Sequence, residues 1–340
     1  MKYQIHITIG PACRDLGILK NLIASGVTNI RINLSHIKPD ELPEIARLIR
    51  SVSKDVRIGA DIRGRKLRIG QLVGGEIILK QGDVFRLFPS IEEMEGDKYC
   101  ASVNFPNICS TMEQGAIILL DDGAISLVVK EIFTDGVVCE VINGGTLPQR
   151  SGVNIPGFPT NLPPLTDLDY EYMKNFTAAG IDNVYLSYVE SASDIMILRE
   201  ALNGLDINIP IMAKVELLTA VKNIKEIAEI TDSVCIARGD LGTEVPLHKL
   251  PFIQRYIVDS VKKANKPVIL AGELLFSLVT RHTPFRAELT DIANAVAQGV
   301  DGFILSDETA VGVSPINAVN ILNSLIAEAE VQKQGDGILW

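Results

Sequence analysis

Runs of β-branched and other apolar residues recur along the chain, each followed by a helix-length stretch in which apolar positions return every three or four residues. The runs are QIHITIG (4–10), TNIRINL (28–34), DVRIGADI (55–62), NVYLSYV (183–189), IPIMAKV (209–215), SVCIARG (233–239), PVILAG (267–272) and GFILS (302–306). Alternation of this kind predicts parallel βαβ units. The last segment, SPINAVNILNSLIAEAEVQ, offers Ser314 as an N-cap and Pro315 at the first helical position, which predicts the eighth helix. Eight units favour a closed (β/α)₈ barrel of the TIM type over an open doubly wound sheet.

Between the third and fourth runs the pattern changes. GEIILKQGD, GAIILLDDGAISLVV and DGVVCEVINGG read as short strands joined by turns, with no amphipathic helix among them. This stretch predicts a small all-β domain inserted after the third strand. Setting it aside leaves roughly 260 residues, near the ~250 typical of a barrel. The expected organisation is 1–70 and 153–330 for the barrel, 71–152 for the insert and 331–340 for a tail ending in Trp340.

Composition narrows the function. Hydrophobic residues make up 47% and charged residues 22% of 340, as in a folded soluble enzyme. The net charge of -10 argues against a nucleic-acid partner held by bulk charge, so any anion must be bound by a local cluster. MKYQIHITIGPAC lacks the layout of a signal peptide, and no apolar run reaches the ~18 residues of a membrane span. Cys13, Cys100, Cys109, Cys139 and Cys235 are scattered without a CxxC, which suggests reduced thiols in a cytoplasmic protein. No GxxxxGK[ST] or strand-following GxGxxG occurs, and His6, His36, His248 and His282 have no metal-ligand spacing.

In a barrel, chemistry sits at the carboxyl ends of the strands. Those ends carry Asn33 and Ser35, Asp61, Lys214 and Glu216, Gly239 and Asp240, Gly272 and Glu273, and Ser306; Arg31 shares a strand face with Asn33. Glu216 and Asp240 would place two carboxylates under Mg²⁺ or Mn²⁺. Lys214, two residues before Glu216, could stabilise a phosphoryl group or an enolate oxygen, although Lys214 and Glu216 alone fit a structural ion pair equally well. ADIRGRKLRIG (60–70) concentrates Arg63, Arg65, Lys66 and Arg68 behind Asp61, either as a solvated loop or as an anion site.

TIGPAC (8–13), RINLSH (31–36), ADIRGRKLRIG (60–70), LDDGAISL (120–127), GVNIPG (152–157), AKVE (213–216), ARGDLG (237–242), FRAELTDIANAV (285–296) and LSDETAVG (305–312) stand in the order found in pyruvate kinases, which the chain resembles over roughly its first 320 residues. The resemblance implies transfer of a phosphoryl group from phosphoenolpyruvate to ADP, then protonation of the enolate. It implies Glu216 and Asp240 as divalent-metal ligands, Lys214 and Arg31 as catalytic contacts, and Gly239 and Asp240 as amides for the substrate carboxylate. Gly272 and Glu273 complete the substrate slot. Asn33, Ser35 and Asp61 match ligands of a monovalent cation, and Arg68, with His36 and Arg150, faces nucleotide. Lys66 replaces a glutamate found in K⁺-dependent members and is expected to stand where K⁺ would sit, removing the K⁺ requirement. The inserted domain is expected to close over the nucleotide. The C-terminal regulatory domain of most pyruvate kinases is expected to be missing, which leaves a barrel base compatible with a homo-oligomer.

The sequence also departs from that family. Ala271-Gly272-Glu273 replaces ATQ, removing a threonine hydroxyl and adding a negative charge; Ser151 replaces a lysine, and Ile37, Phe285 and Asp307 replace two glycines and a threonine. These departures keep open a related metal-dependent barrel enzyme acting on a different small acid, or a catalytically weak nucleotide- or metal-binding relative. Arg63 and Arg65 are expected to be solvated.

Overall fold

The computed structural model describes residues 3–89 and 95–334. The chain opens with three parallel strands, β1 (Gln4–Thr8), β2 (Asn29–Asn33) and β3 (Arg57–Ile62). Eight further strands follow: β4 (Glu76–Leu79), β5 (Val84–Pro89), β6 (Cys100–Val103), β7 (Ile117–Leu120), β8 (Ile125–Phe133), β9 (Gly136–Asn143), β10 (Gly145–Pro148) and β11 (Val153–Asn154). Five parallel strands complete the chain: β12 (Asn183–Leu186), β13 (Ile211–Val215), β14 (Ser233–Ala237), β15 (Val268–Ala271) and β16 (Gly302–Leu305).

Hydrogen bonding closes the first three and last five strands into one eight-stranded barrel in the order β1-β16-β15-β14-β13-β12-β3-β2. The (β/α)₈ fold expected from the apolar runs is therefore the fold observed. The strands read as near-continuous apolar runs because both faces are covered, and every residue of β12, β15 and β16 is buried. One core lies between barrel and helices, with Ile5, Ile30, Val184 and Phe303 meeting Leu19, Leu198 and Leu322. A smaller one, built on Tyr185, Met212, Cys235 and Ile304, fills the barrel lumen.

The intervening strands form a six-stranded sheet, β11-β7-β8-β9-β5-β6, and a β10-β4 pair. Here the pattern alternates, with β4 exposed, buried, exposed, buried, as in a sheet packed on one face. Phe85, Leu87, Phe105, Leu127 and Val141 give these strands their own core. The final helix, Pro315–Gln334, runs past residue 330, where the sequence reading begins a tail; residues 335–340, with Trp340, lie outside the described ones. Among the described residues no helix is long and apolar enough to cross a membrane.

Candidate active site

The carboxyl ends of the strands open into two adjoining cavities of about 400 and 480 Å³. Arg31, Lys66, Lys214, Glu216 and Asp240 line both. Asn33, Ser35, His36, Asp61 and Arg68 belong to the first, and Gly239, Gly272 and Glu273 to the second. Period-two alternation explains the grouping, since Arg31 and Asn33 share a face of β2, and Lys214 and Glu216 share a face at the end of β13. In the first cavity Arg31, Arg63, Lys66, Arg68 and Lys214 outnumber the carboxylates. In the second, Asp122, Glu273, Asp307 and Glu308 reverse the balance.

A continuous network joins the strand ends. Arg31 Nε meets Asp61 Oδ2 at 2.5 Å, and its Nη1 donates to Thr8 Oγ1 at 2.9 Å. Ser187 Oγ donates to Asp61 Oδ1 at 2.9 Å and accepts from Lys214 Nζ at 2.9 Å. Lys214 Nζ lies 2.8 Å from Glu216 Oε1 and 3.4 Å from Asp61. Tyr188 N–H donates to Glu216 Oε2 at 2.6 Å, and the Tyr188 hydroxyl donates to Asp240 Oδ1 at 2.7 Å.

Burial lowers the pKa of Lys214, but the carboxylates of Asp61 and Glu216 outweigh it and raise the pKa, so Lys214 stays an ammonium. Burial also opposes ionisation of Asp61, yet Lys214 and Arg31 hold its pKa below the ordinary carboxylate range. Asp240 is lowered despite burial, by Lys66 first and then Lys214. Glu216 moves the other way, raised by burial against the pull of Lys214, with the negative charge of Asp240 adding to the rise.

Two repelling carboxylates facing one cleft suit a divalent cation. Among the described residues no group of three or more His, Cys, Asp or Glu gathers to hold a metal; Glu216 and Asp240 are two carboxylates that line both cavities. Mg²⁺ fits such a set, because it keeps several waters and takes one or two carboxylates plus phosphate oxygens.

Residues 1–319 match the family described as pyruvate kinase, barrel domain. The chain belongs to the pyruvate kinase family. A pyruvate kinase of Thermococcus litoralis is 34% identical over 340 residues, 99% of this chain and 71% of its own length. A human pyruvate kinase is 36% identical over 96% of this chain and 59% of its own, and that of Geobacillus stearothermophilus 37% over 97% and 57%. The chain thus spans less than two thirds of the length of several relatives. A crystal structure of a pyruvate kinase from Cryptosporidium parvum aligns with a TM-score of 0.92 at 32% identity, covering 100% of this chain and 73% of that one. Of the readings left open by the sequence, the pyruvate kinase-like phosphotransferase is the one these relatives support.

The four cations behind Asp61 go different ways. Arg63 and Arg68 line the first cavity. Arg65, expected to be solvated, is instead buried, its Nη2 2.5 Å from Asp194 and its Nη1 3.4 Å from Glu190, with a further bond to the Leu162 carbonyl at 2.8 Å. Lys66 lies 3.0 Å from Asp240 and 3.7 Å from Asp122, in the turn between β7 and β8, and makes no bond to Asn33, Ser35 or Asp61. This departs from the monovalent-cation place expected for it. The reason is charge balance: Asp61 already has Arg31 and Lys214, whereas Asp240 lacks a bonded cation without Lys66.

Other pyruvate kinase positions also differ from expectation. Arg150 lines neither cavity; it is exposed, and its carbonyl accepts from Arg68 at 2.9 Å. Ser151 turns inward, its hydroxyl 3.0 Å from Asp121 and 2.8 Å from the Pro148 carbonyl. Gly272 has φ +92°, and a Cβ there would stand 2.8 Å from Gly239 N, so the departure from threonine is built into the backbone. Ser187 and Tyr188 are the functional candidates the sequence reading missed. They stand at the carboxyl end of β12, the position searched on neighbouring strands, but were absorbed into the run NVYLSYV.

Proposed function

We propose that the chain transfers the phosphoryl group of phosphoenolpyruvate to ADP, giving pyruvate and ATP. The observation that best supports this is the Lys214 ammonium, 12% exposed and bordering both cavities between Asp61 and Glu216. A fixed positive charge withdrawn from water acts strongly on charge that moves during reaction. A β-phosphate oxygen of ADP attacks phosphorus, and the bond from phosphorus to the enol oxygen breaks with its electron pair left on that oxygen. A proton delivered to the methylene carbon then completes pyruvate.

Lys214 and Arg31 flank the phosphoryl group, and Lys214 also stabilises the enolate oxygen. Gly239 and Asp240 lie in the first turn of the helix Arg238–Glu244, where N–H groups lack intrahelical acceptors and can receive the substrate carboxylate. Glu216 and Asp240 would hold Mg²⁺ or Mn²⁺, which when bound adds positive charge beside the oxygens that become more negative. The cationic first cavity, with Arg68, Arg63 and His36, takes the ADP phosphates. Asn33, Ser35 and Asp61 face that cavity too, but Asp61 is already neutralised by Arg31 and Lys214, so added K⁺ is not required.

Without the threonine hydroxyl at Gly272, turnover falls by about 10²–10³ relative to a site that has it, and is not abolished. The test is single-turnover ³¹P NMR with phosphoenolpyruvate, ADP and Mg²⁺, with and without K⁺. ATP should form in both, and Lys214→Ala should lose it. No ATP from the wild-type protein would overturn the reading, while ATP only with K⁺ would overturn the cation argument alone.

A further inference from the structure

Tyr188 is 7% exposed and has φ 54°, a left-handed backbone that bulky residues seldom adopt. Such outliers persist only where their surroundings hold them, and they cluster at functional sites. Here the turn directs two donors of one residue at two carboxylates from different strand ends. The N–H reaches Glu216 Oε2 at 2.6 Å and the hydroxyl reaches Asp240 Oδ1 at 2.7 Å. Among the described residues, Tyr188 is the one bonded to both. Lys66 shares the same oxygen of Asp240 at 3.0 Å, and its ammonium stands 5.6 Å from the centre of the Tyr188 ring.

We propose that Tyr188 is a positioning residue that fixes how Glu216 and Asp240 face each other, and so presents them as a pair to a divalent cation. The inference rests on the metal reading given above. The hydroxyl and the Lys66 ammonium share one oxygen of Asp240; without the hydroxyl, the ammonium alone sets where that carboxylate lies relative to Glu216. Tyr188→Phe keeps the ring, the burial and the backbone N–H, and removes only that restraint.

The experiment is Mn²⁺ titration of the substrate-free full chain, followed by electron paramagnetic resonance, beside a thermal melt. Tyr188→Phe should weaken Mn²⁺ binding about tenfold, the lower end of the range for lost outer partners of metal ligands, with the melting temperature unchanged. Adding Lys66→Met to Tyr188→Phe should recover part of the loss, since the competing cation is gone. Unchanged Mn²⁺ affinity in Tyr188→Phe overturns this inference and leaves the metal reading standing. A loss of affinity matched by a fall in melting temperature also overturns it, by reducing Tyr188 to a structural role. No Mn²⁺ binding by the wild-type chain overturns the metal reading and this inference with it.

Discussion

Replacing Arg65 by methionine tests whether the most deeply placed cation of the 60–70 segment holds the molecule together. Its side chain is 4% exposed and faces Glu190 and Asp194, whose side chains are 11% and 6% exposed. Removing one partner of a buried ion pair costs about 3–5 kcal/mol, because the other charge is left without compensation. Several donors remain to soften that cost. Asp194 keeps the N–H groups of Glu190 and Ser191, at 2.7 and 3.1 Å, and Glu190 keeps both donors of Thr160, at 3.0 and 2.8 Å. The lower end applies, about 3 kcal/mol, or roughly a hundredfold in the folded-to-unfolded ratio. Urea unfolding followed by circular dichroism reads this directly, with Arg63→Met as the comparison, expected within about 0.5 kcal/mol of wild type. Adding Asp194→Asn to Arg65→Met should cost less than the two single losses combined, since the residues share one network. If Arg65→Met proves no more costly than Arg63→Met, the buried brace carries no stability and the reasoning fails.

Gly272→Thr restores the residue type of the wider family but should destabilise by about 2–4 kcal/mol, because the backbone is left-handed and the new Cβ meets Gly239 N at 2.8 Å; a thermal melt at or above the wild-type value would contradict this. His6 is fully buried, its Nδ1 2.8 Å from the Tyr185 hydroxyl, and burial, helped by Arg57 and Arg31, pulls its pKa down to about 3. The unfolded chain binds this proton near pH 6.5, so the stability His6 contributes is complete above that pH and drains as pH falls toward 3, by up to about 1.4 kcal/mol per unit. The His6→Gln variant should lose that slope, and parallel stability curves for the two proteins would count against it. Lys214→Met should lower kcat by at least about 10²–10³ and, by leaving Asp61 and Glu216 short of a buried partner, should also lower the melting temperature; a change confined to KM would mean that Lys214 only binds substrate.

The barrel was legible because its strands are buried on both faces, so each writes an apolar run such as PVILAG or GFILS into the chain. The charged strand ends were legible because side chains two apart share a face, which joins Arg31 to Asn33 and Lys214 to Glu216. The four cations after Asp61 were not sortable in this way. The chain turns at Gly64, φ +61°, so alternation stops there and gives no clue that Arg65 points into the protein while Lys66 points into the cleft. Lys66 was misplaced for a different reason: its partner is set by which carboxylate has the least compensation, a balance spread over β2, β3 and β13. Ser187 and Tyr188 were hidden because an apolar run does not show where its strand ends.

Three residues just after β12, Ser187, Tyr188 and Glu190, tie together the charged groups of the cleft rim. Ser187 bridges Asp61 and Lys214, and Tyr188 bridges Glu216 and Asp240. Two residues on, Glu190 takes Thr160 on one oxygen and Arg65 on the other, so the segments that lead into and out of the inserted strands both end on it. Loops at a barrel rim ordinarily tolerate insertions and carry the variation by which one scaffold acquires new specificities. This one has no slack. An added residue between Ser187 and Glu190 would disturb the bonds to Glu216 and Asp240 and the anchoring of the segments beside the inserted domain together, so diversification of this cleft must proceed through the other rim loops, with the 187–190 turn kept at constant length.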